Sequence, residues 1–140
     1  MVAGFNFVRV QQFHNHGCAV ACIAMVTRKS YGSVLRRIFP KALIHDYIYP
    51  LVDLCMNVYE IDGWLRKLGV RTRLTHSMSG PTPSRSGIVL FDWHHGNWSH
   101  GVVWDNSAKR YLDPAGPALR YDIYKRAFER SDFPIVSIIG

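Results

Sequence analysis

Residues 18–26 read Cys-Ala-Val-Ala-Cys-Ile-Ala-Met-Val. On a helical wheel this run is apolar on every side, which predicts a helix buried all round and central to the fold. Ala19, Ala21 and Ala24 would let neighbouring elements approach closely, and Gly17 permits a sharp turn into the helix. The elements around it must cover it. A second helix is expected over Tyr31 to Phe39, stopped by Pro40. Asn57, with Glu60 three residues on, has the form of a capping box opening a third helix over Val58 to Leu68. Ile61, Trp64, Leu65 and Leu68 share one face of that helix, and Gly69 ends it.

Beyond a Pro/Gly/Ser-containing loop at Thr75 to Ser86, the pattern changes from helical to strand-like. Apolar runs at Gly87 to Asp92, Trp98 to Trp104, Arg110 to Leu112 and Pro134 to Ile139 alternate with turn signals, the mark of an antiparallel meander. His94-His95-Gly96-Asn97 supplies the first turn and Asp105-Asn106-Ser107-Ala108 the second. Tyr121 to Arg130 reads as an amphipathic helix before the last strand. Helices gathered in the first half and strands in the second indicate the α+β class, as one domain over residues 1–140.

The chain has 140 residues, 48% hydrophobic and 19% charged, which suits a single core with one cleft. No stretch approaches the roughly 20 apolar residues of a membrane helix. Met1 to Val10 lacks the basic start, apolar centre and small-residue cleavage site of a secretory signal, so a cytoplasmic location is expected. Three cysteines, two of them four residues apart, make no disulfide framework. Lys plus Arg outnumber Asp plus Glu by 17 to 10, a net charge of +7, but the basic residues are scattered in ones and twos. That distribution describes a solvated basic surface better than a dedicated site for nucleic acid or another polyanion.

Chemistry concentrates at the start of the central helix. Unpaired backbone N–H groups and the helix dipole favour an anion at Cys18, the setting in which a thiol loses its proton below its usual range. Cys22, one turn deeper in the same apolar helix, reads as structural, as does Cys55 between Leu54 and Met56. A nucleophilic thiol needs a base, and the hairpin geometry selects one of seven histidines. A turn centred on Asn106-Ser107 sets His100 directly opposite Asp113, with Cβ atoms about 4.5–5.5 Å apart. A carboxylate there would fix the imidazole tautomer and stabilise the imidazolium. Gln12 could donate its side-chain amide to a developing oxyanion beside the Cys18 backbone N–H; Gln11 is chemically identical, and spacing alone separates the two. His14 and His16 could line the cleft or simply be exposed, His94 and His95 fall in a turn, and His45 and His76 have no evident partner. No zinc-ligand spacing or phosphate-binding glycine motif is present.

The order Gln12, Cys18, His100, Asp113 resembles that of papain-like cysteine peptidases, and within them the bacteriocin-processing family that removes double-glycine leader peptides. That family shows Gln, five residues, then Cys-Gly-x-Ala-Cys-Leu-Ala-Met, where this chain has Gln12 and then Cys18-Ala19-Val20-Ala21-Cys22-Ile23-Ala24-Met25. Its later His with apolar strand residues and its Asp-Pro-Ala are matched by His100-Gly101-Val102-Val103-Trp104 and Asp113-Pro114-Ala115. Leu68-Gly69 falls where the family ends its middle helix. Gly17 stands where an acidic residue is usual and Ala19 where a glycine is usual.

The resemblance implies a papain-like fold, its nucleophile helix packed on an antiparallel sheet. It also implies a peptidase using Cys18, His100, Asp113 and Gln12, with no metal or organic cofactor and an extended peptide or protein substrate carrying small residues at the cleavage point. The same residues would serve an acyltransferase or deamidase. A papain-like binding module whose basic surface meets an acidic protein or nucleic acid is the non-enzymatic alternative.

Overall fold

Helix α1, Cys18–Thr27, forms where the apolar run predicts it, and every residue from Ala19 to Val26 is buried. A computed structural model describes residues 7–13, 17–40, 43–44, 47–48, 54–76, 83–92, 99–116 and 134–139. With no polar face, α1 can be stable only if it is covered on all sides. Its C-terminus is closed by Arg28 in the left-handed region (φ 58°), whose N–H turns back to the Ala24 and Met25 carbonyls. The sequence carries no glycine to mark this stop.

Helix α2, Tyr31–Ile38, starts on Ser30, whose hydroxyl oxygen accepts the Ser33 N–H at 3.1 Å. Strands β1, Leu43–Ile44, and β2, Tyr47–Ile48, make a small antiparallel pair. Helix α3, Val58–Lys67, opens on the expected capping box: Glu60 N–H donates to Asn57 Oδ1 at 2.9 Å, and Asn57 N–H to Glu60 Oε1 at 3.1 Å. It ends at Gly69, whose φ of 89° lets Val70 N–H reach the Leu65 carbonyl at 2.9 Å. Ile61 and Leu65 are fully buried, and Trp64 and Leu68 pack partly buried against the same core.

Five strands form the main sheet: β3, Thr72–His76; β4, Gly87–Asp92; β5, Ser99–Asp105; β6, Arg110–Leu112; and β7, Pro134–Ile138. Their spatial order is β3-β7-β4-β5-β6, with every neighbouring pair antiparallel. The fold class is therefore α+β. The β4-β5-β6 meander matches the expectation, but β7 does not extend it. It inserts between β4 and β3, and its central position explains why Ile135, Val136, Ser137 and Ile138 are all buried. β3 has no counterpart among the expected strands. It is an edge strand whose Arg73 and Leu74 face solvent, so the apolar alternation that marks a strand is weak there. Asp62 of α3 anchors it, accepting from the Thr72 hydroxyl and pairing with Arg66 Nε at 3.2 Å.

One sheet face carries Ile88, Leu90, Val103, Leu112, Val136 and Ile138 into the core built around α1. The other holds Trp104 against Tyr111, its ladder partner, with ring centroids 4.6 Å apart. The N-terminal segment runs beside β6. Phe7 N–H donates to the buried carboxylate of Asp105 at 3.1 Å, and the Phe7 carbonyl accepts from Arg110 Nη2 at 3.0 Å.

Cys55 departs from its structural reading, because it is exposed between the buried Leu54 and Met56. Among the described residues no helix is long and apolar enough to cross a membrane. The expected helix over Tyr121 to Arg130, the His94-to-Asn97 turn and the middle of the Thr75-to-Ser86 loop lie outside the described residues.

Candidate active site

Cys18 is the first residue of α1, where backbone N–H groups have no carbonyl one turn back to receive them. Gly17 precedes it with φ −84° and ψ 9°, a conformation open to any residue, so the expected glycine freedom is not used here. The sulfur is hydrogen-bonded to the His100 ring and accepts backbone N–H groups from Gly101 and Ala19. Burial pushes the thiol up. The His100 hydrogen bond, the Gly101 N–H, the His100 charge and the Ala19 N–H together outweigh that penalty and hold it below its ordinary value.

His100 lies near the start of β5, and its Nε2 is 2.8 Å from Asp113 Oδ1. Only 12% of the His100 side chain and 14% of that of Asp113 are exposed, so water screens the pair weakly. Burial alone would lower the imidazole pKa. Hydrogen bonds to Asp113 and to Cys18, then the charges of both, reverse the shift and raise it to about 9. Because Nε2 faces the carboxylate, the nitrogen left for the sulfur is Nδ1. Three sequence-predicted residues are thus joined in one chain, Cys18 to His100 to Asp113.

The hairpin behind this chain differs from expectation. Asp105 pairs with Arg110 and Val103 with Leu112, so four residues, Asn106 to Lys109, form the turn. Asp105 Oδ1 fixes it by accepting Ser107 N–H at 3.2 Å, Ala108 N–H at 3.3 Å and the Ser107 hydroxyl at 2.9 Å, while Lys109 adopts φ 53°. Relative to a turn centred on Asn106-Ser107, the register slides by two residues. Side chains alternate with period two, so His100 and Asp113 stay on one face but become diagonal neighbours.

The Asp113 turn is held from two sides. Its Oδ1 also accepts Ala115 N–H at 2.8 Å, and Arg9 Nε donates to the Asp113 carbonyl at 2.7 Å and the Gly116 carbonyl at 3.0 Å. Gln12 is attached to the same turn, its N–H donating to the Pro114 carbonyl at 2.9 Å. The structure also separates the two glutamines. Gln11 is exposed, and its side chain accepts from Arg9 and donates to the Gln12 carbonyl, whereas Gln12 is half-buried.

Two contributors were invisible in the sequence. A Cβ at Gly101 would stand 3.2 Å from Leu90 Cδ2, closer than usual, and at ordinary van der Waals distance from Cys22 Sγ (3.6 Å) and Cys18 Sγ (4.0 Å), so glycine leaves the end of Leu90 its place beside the two sulfurs. Tyr31, the first residue of α2, packs its ring against Phe13 with centroids 5.4 Å apart, and its hydroxyl responds to the Phe13 N–H and to the charge of Cys18. Burial, opposed by that N–H and reinforced by the Cys18 charge, raises its pKa to about 12.

Cys22 is completely buried, and burial with the nearby charges of Cys18 and Asp113 pushes its thiol well up, which fits a structural role. His14, His16, His45, His94 and His95 lie outside the described residues, and His76 is described only as backbone in β3. Among the described residues, no group of three or more His, Cys, Asp and Glu side chains is placed to hold a metal ion. Compared with protein-family models, curated proteins and solved structures, the chain matches none.

Proposed function

We propose that the protein is a papain-like cysteine peptidase acting on an extended peptide segment with small residues at the cleavage point. One observation carries the reading: a thiol at a helix start, hydrogen-bonded to a histidine whose other ring nitrogen is held by a part-buried carboxylate. The raised imidazole and lowered thiol favour a thiolate–imidazolium pair, which is the resting state a cysteine nucleophile needs. Support for the papain-like architecture comes from the buried nucleophile helix against an antiparallel sheet that supplies the histidine, and from the resemblance of the motifs around Gln12, Cys18, His100 and Asp113.

The chemistry then proceeds as acyl transfer. The Cys18 thiolate attacks the substrate carbonyl carbon, and the C=O electron pair moves onto oxygen. Gln12 Nε2–H and the Cys18 backbone N–H donate to that oxyanion. As the C–N bond breaks, His100 Nδ1–H protonates the leaving nitrogen, giving an amine product and a thioester. A water molecule, deprotonated by Nδ1, attacks the thioester and releases the carboxylic acid with the thiolate restored. Asp113 accepts from Nε2–H throughout and holds the ring in the tautomer that presents Nδ1 to the sulfur.

A degenerate peptide library incubated with the wild-type protein and with Cys18→Ala tests this reading by mass spectrometry. Cleavage products that appear only with Cys18 present are expected. Amine-linked products would instead indicate transfer, and identical peptide profiles for the two proteins would remove the enzymatic reading.

A further inference from the structure

An oxyanion donor on a loop is useful only if the loop holds still, because a displacement of about 1 Å costs on the order of a hundredfold in rate. Gln12 lies in such a segment, between the exposed Gln11 and Phe13. Its leading peptide is secured by the Pro114 carbonyl, on the turn that carries Asp113. The following peptide, between Gln12 and Phe13, is secured from a different element, α2.

There the Phe13 ring, 73% exposed, packs edge-on against the Tyr31 ring with centroids 5.4 Å apart and planes at 69°. Tyr31 itself is buried and belongs to the core, so it is a fixed post rather than a second mobile group. Its hydroxyl faces the Phe13 N–H closely enough for that N–H to favour the phenolate. Gln12 is therefore held at both of its peptide units, by β6's following turn on one side and by α2 on the other.

We propose that Tyr31 is a positioning residue for the oxyanion hole: its hydroxyl and ring fix the Gln12–Phe13 peptide and thereby the direction in which Gln12 presents its amide. This rests on the peptidase reading. It also explains why Tyr31 lies near Cys18 without standing in the Cys18–His100–Asp113 chain.

Two probes of the full chain separate the roles. Alkylation of Cys18 by iodoacetamide is a displacement at saturated carbon, so it depends on the thiolate but forms no oxyanion. Acetylation by p-nitrophenyl acetate passes through a tetrahedral oxyanion and releases p-nitrophenolate. Tyr31→Phe, which keeps the ring and removes only the hydroxyl, is expected to slow acetylation about tenfold, the equivalent of one ordinary hydrogen bond. Its Cys18 alkylation rate should equal that of wild type. Gln12→Ala should slow acetylation roughly 10²-fold or more with alkylation unchanged, and adding Tyr31→Phe to it should produce no further loss.

Wild-type acetylation by Tyr31→Phe, additive losses in the double variant, or an equal fall in alkylation would each overturn the proposal, the last by placing Tyr31's effect on the thiolate. Failure of wild-type Cys18 to alkylate selectively would be a failure of the peptidase reading itself, and it is seen before any variant is compared.

Discussion

His100 Nε2 and Asp113 Oδ1 stand 2.8 Å apart although the two residues are not partners in the β5–β6 ladder. They are diagonal neighbours, and the contact exists because a four-residue turn keeps them on the same face of the hairpin. The Asp113 carboxylate fixes the ring orientation and raises the imidazole against the effect of burial.

Asp113→Asn retains the shape of the side chain and removes its charge. The imidazolium then loses its main support, and the thiolate loses its counter-charge. Acetylation of Cys18 should fall by roughly 10²–10⁴, the range that general acid–base assistance supplies, and the pH midpoint for iodoacetamide labelling should rise. Pre-steady-state release of p-nitrophenolate measures the first and mass spectrometry the second.

His100 also couples stability to pH. Its folded value of about 9 exceeds the ordinary 6.5, so the native state binds the proton more tightly. This contribution is complete below about pH 6.5 and is lost as pH rises through about 9. Cys18→Ala removes the titrating thiol while leaving the Asp113 hydrogen bond, so the same loss should persist with its upper end moved below 9. Melting temperatures of Cys18→Ala and of the Cys18→Ala, His100→Ala double variant should therefore converge from pH 6 upward; a constant difference would contradict the assignment.

Gly101→Ala places a methyl group between Leu90 and the two sulfurs. Only the end of the Leu90 side chain must give, by a few tenths of an ångström, so the cost should lie at or below the low end of the roughly 1–3 kcal/mol of an overpacked core. The Gly101 N–H, which favours the Cys18 thiolate, is kept by alanine, so labelling of Cys18 should slow only as far as the new methyl shifts β5 from the sulfur. Denaturant titration and labelling kinetics report the two effects separately.

Asn57→Ala acts far from the chemistry. Loss of the bond from Glu60 N–H to Asn57 Oδ1, with the backbone N–H at position 57 still able to donate to Glu60, should cost about 0.5–2 kcal/mol. Cys18 labelling below the unfolding transition should be unchanged, which distinguishes global destabilisation from damage to the site.

What the sequence makes legible is what local physics decides. An all-apolar run such as Cys18 to Val26 can only be buried, and the Asn57/Glu60 pair marks a helix start by itself. The β5–β6 register is not legible in the sequence because turn length depends on where Asp105 places its carboxylate, and that side chain gathers donors two and three residues ahead. Strand β3 is equally illegible because Arg73 and Leu74 are exposed at a sheet edge. Gly101 and Tyr31 carry no local signal; their roles arise only when α1 and α2 are brought against β5 and the Gln12 segment. Spacing alone tells Gln12 from Gln11 in the sequence; in the structure Arg9 engages the exposed Gln11, and Gln12 is half-buried.

Activation of Cys18 as a nucleophile is open to a direct test, because the three cysteines provide their own controls. Cys55 is exposed, Cys18 is partly covered and Cys22 is buried. Brief treatment with limiting iodoacetamide across pH 5 to 9, followed by mass-spectrometric mapping, ranks them by reactivity. If environment governs, Cys18 is modified first, with a midpoint below the ordinary thiol value and a slower rate in His100→Ala. If Cys55 is modified first, with Cys18 following its exposure and indifferent to His100, the thiolate–imidazolium pair does not exist and the account fails.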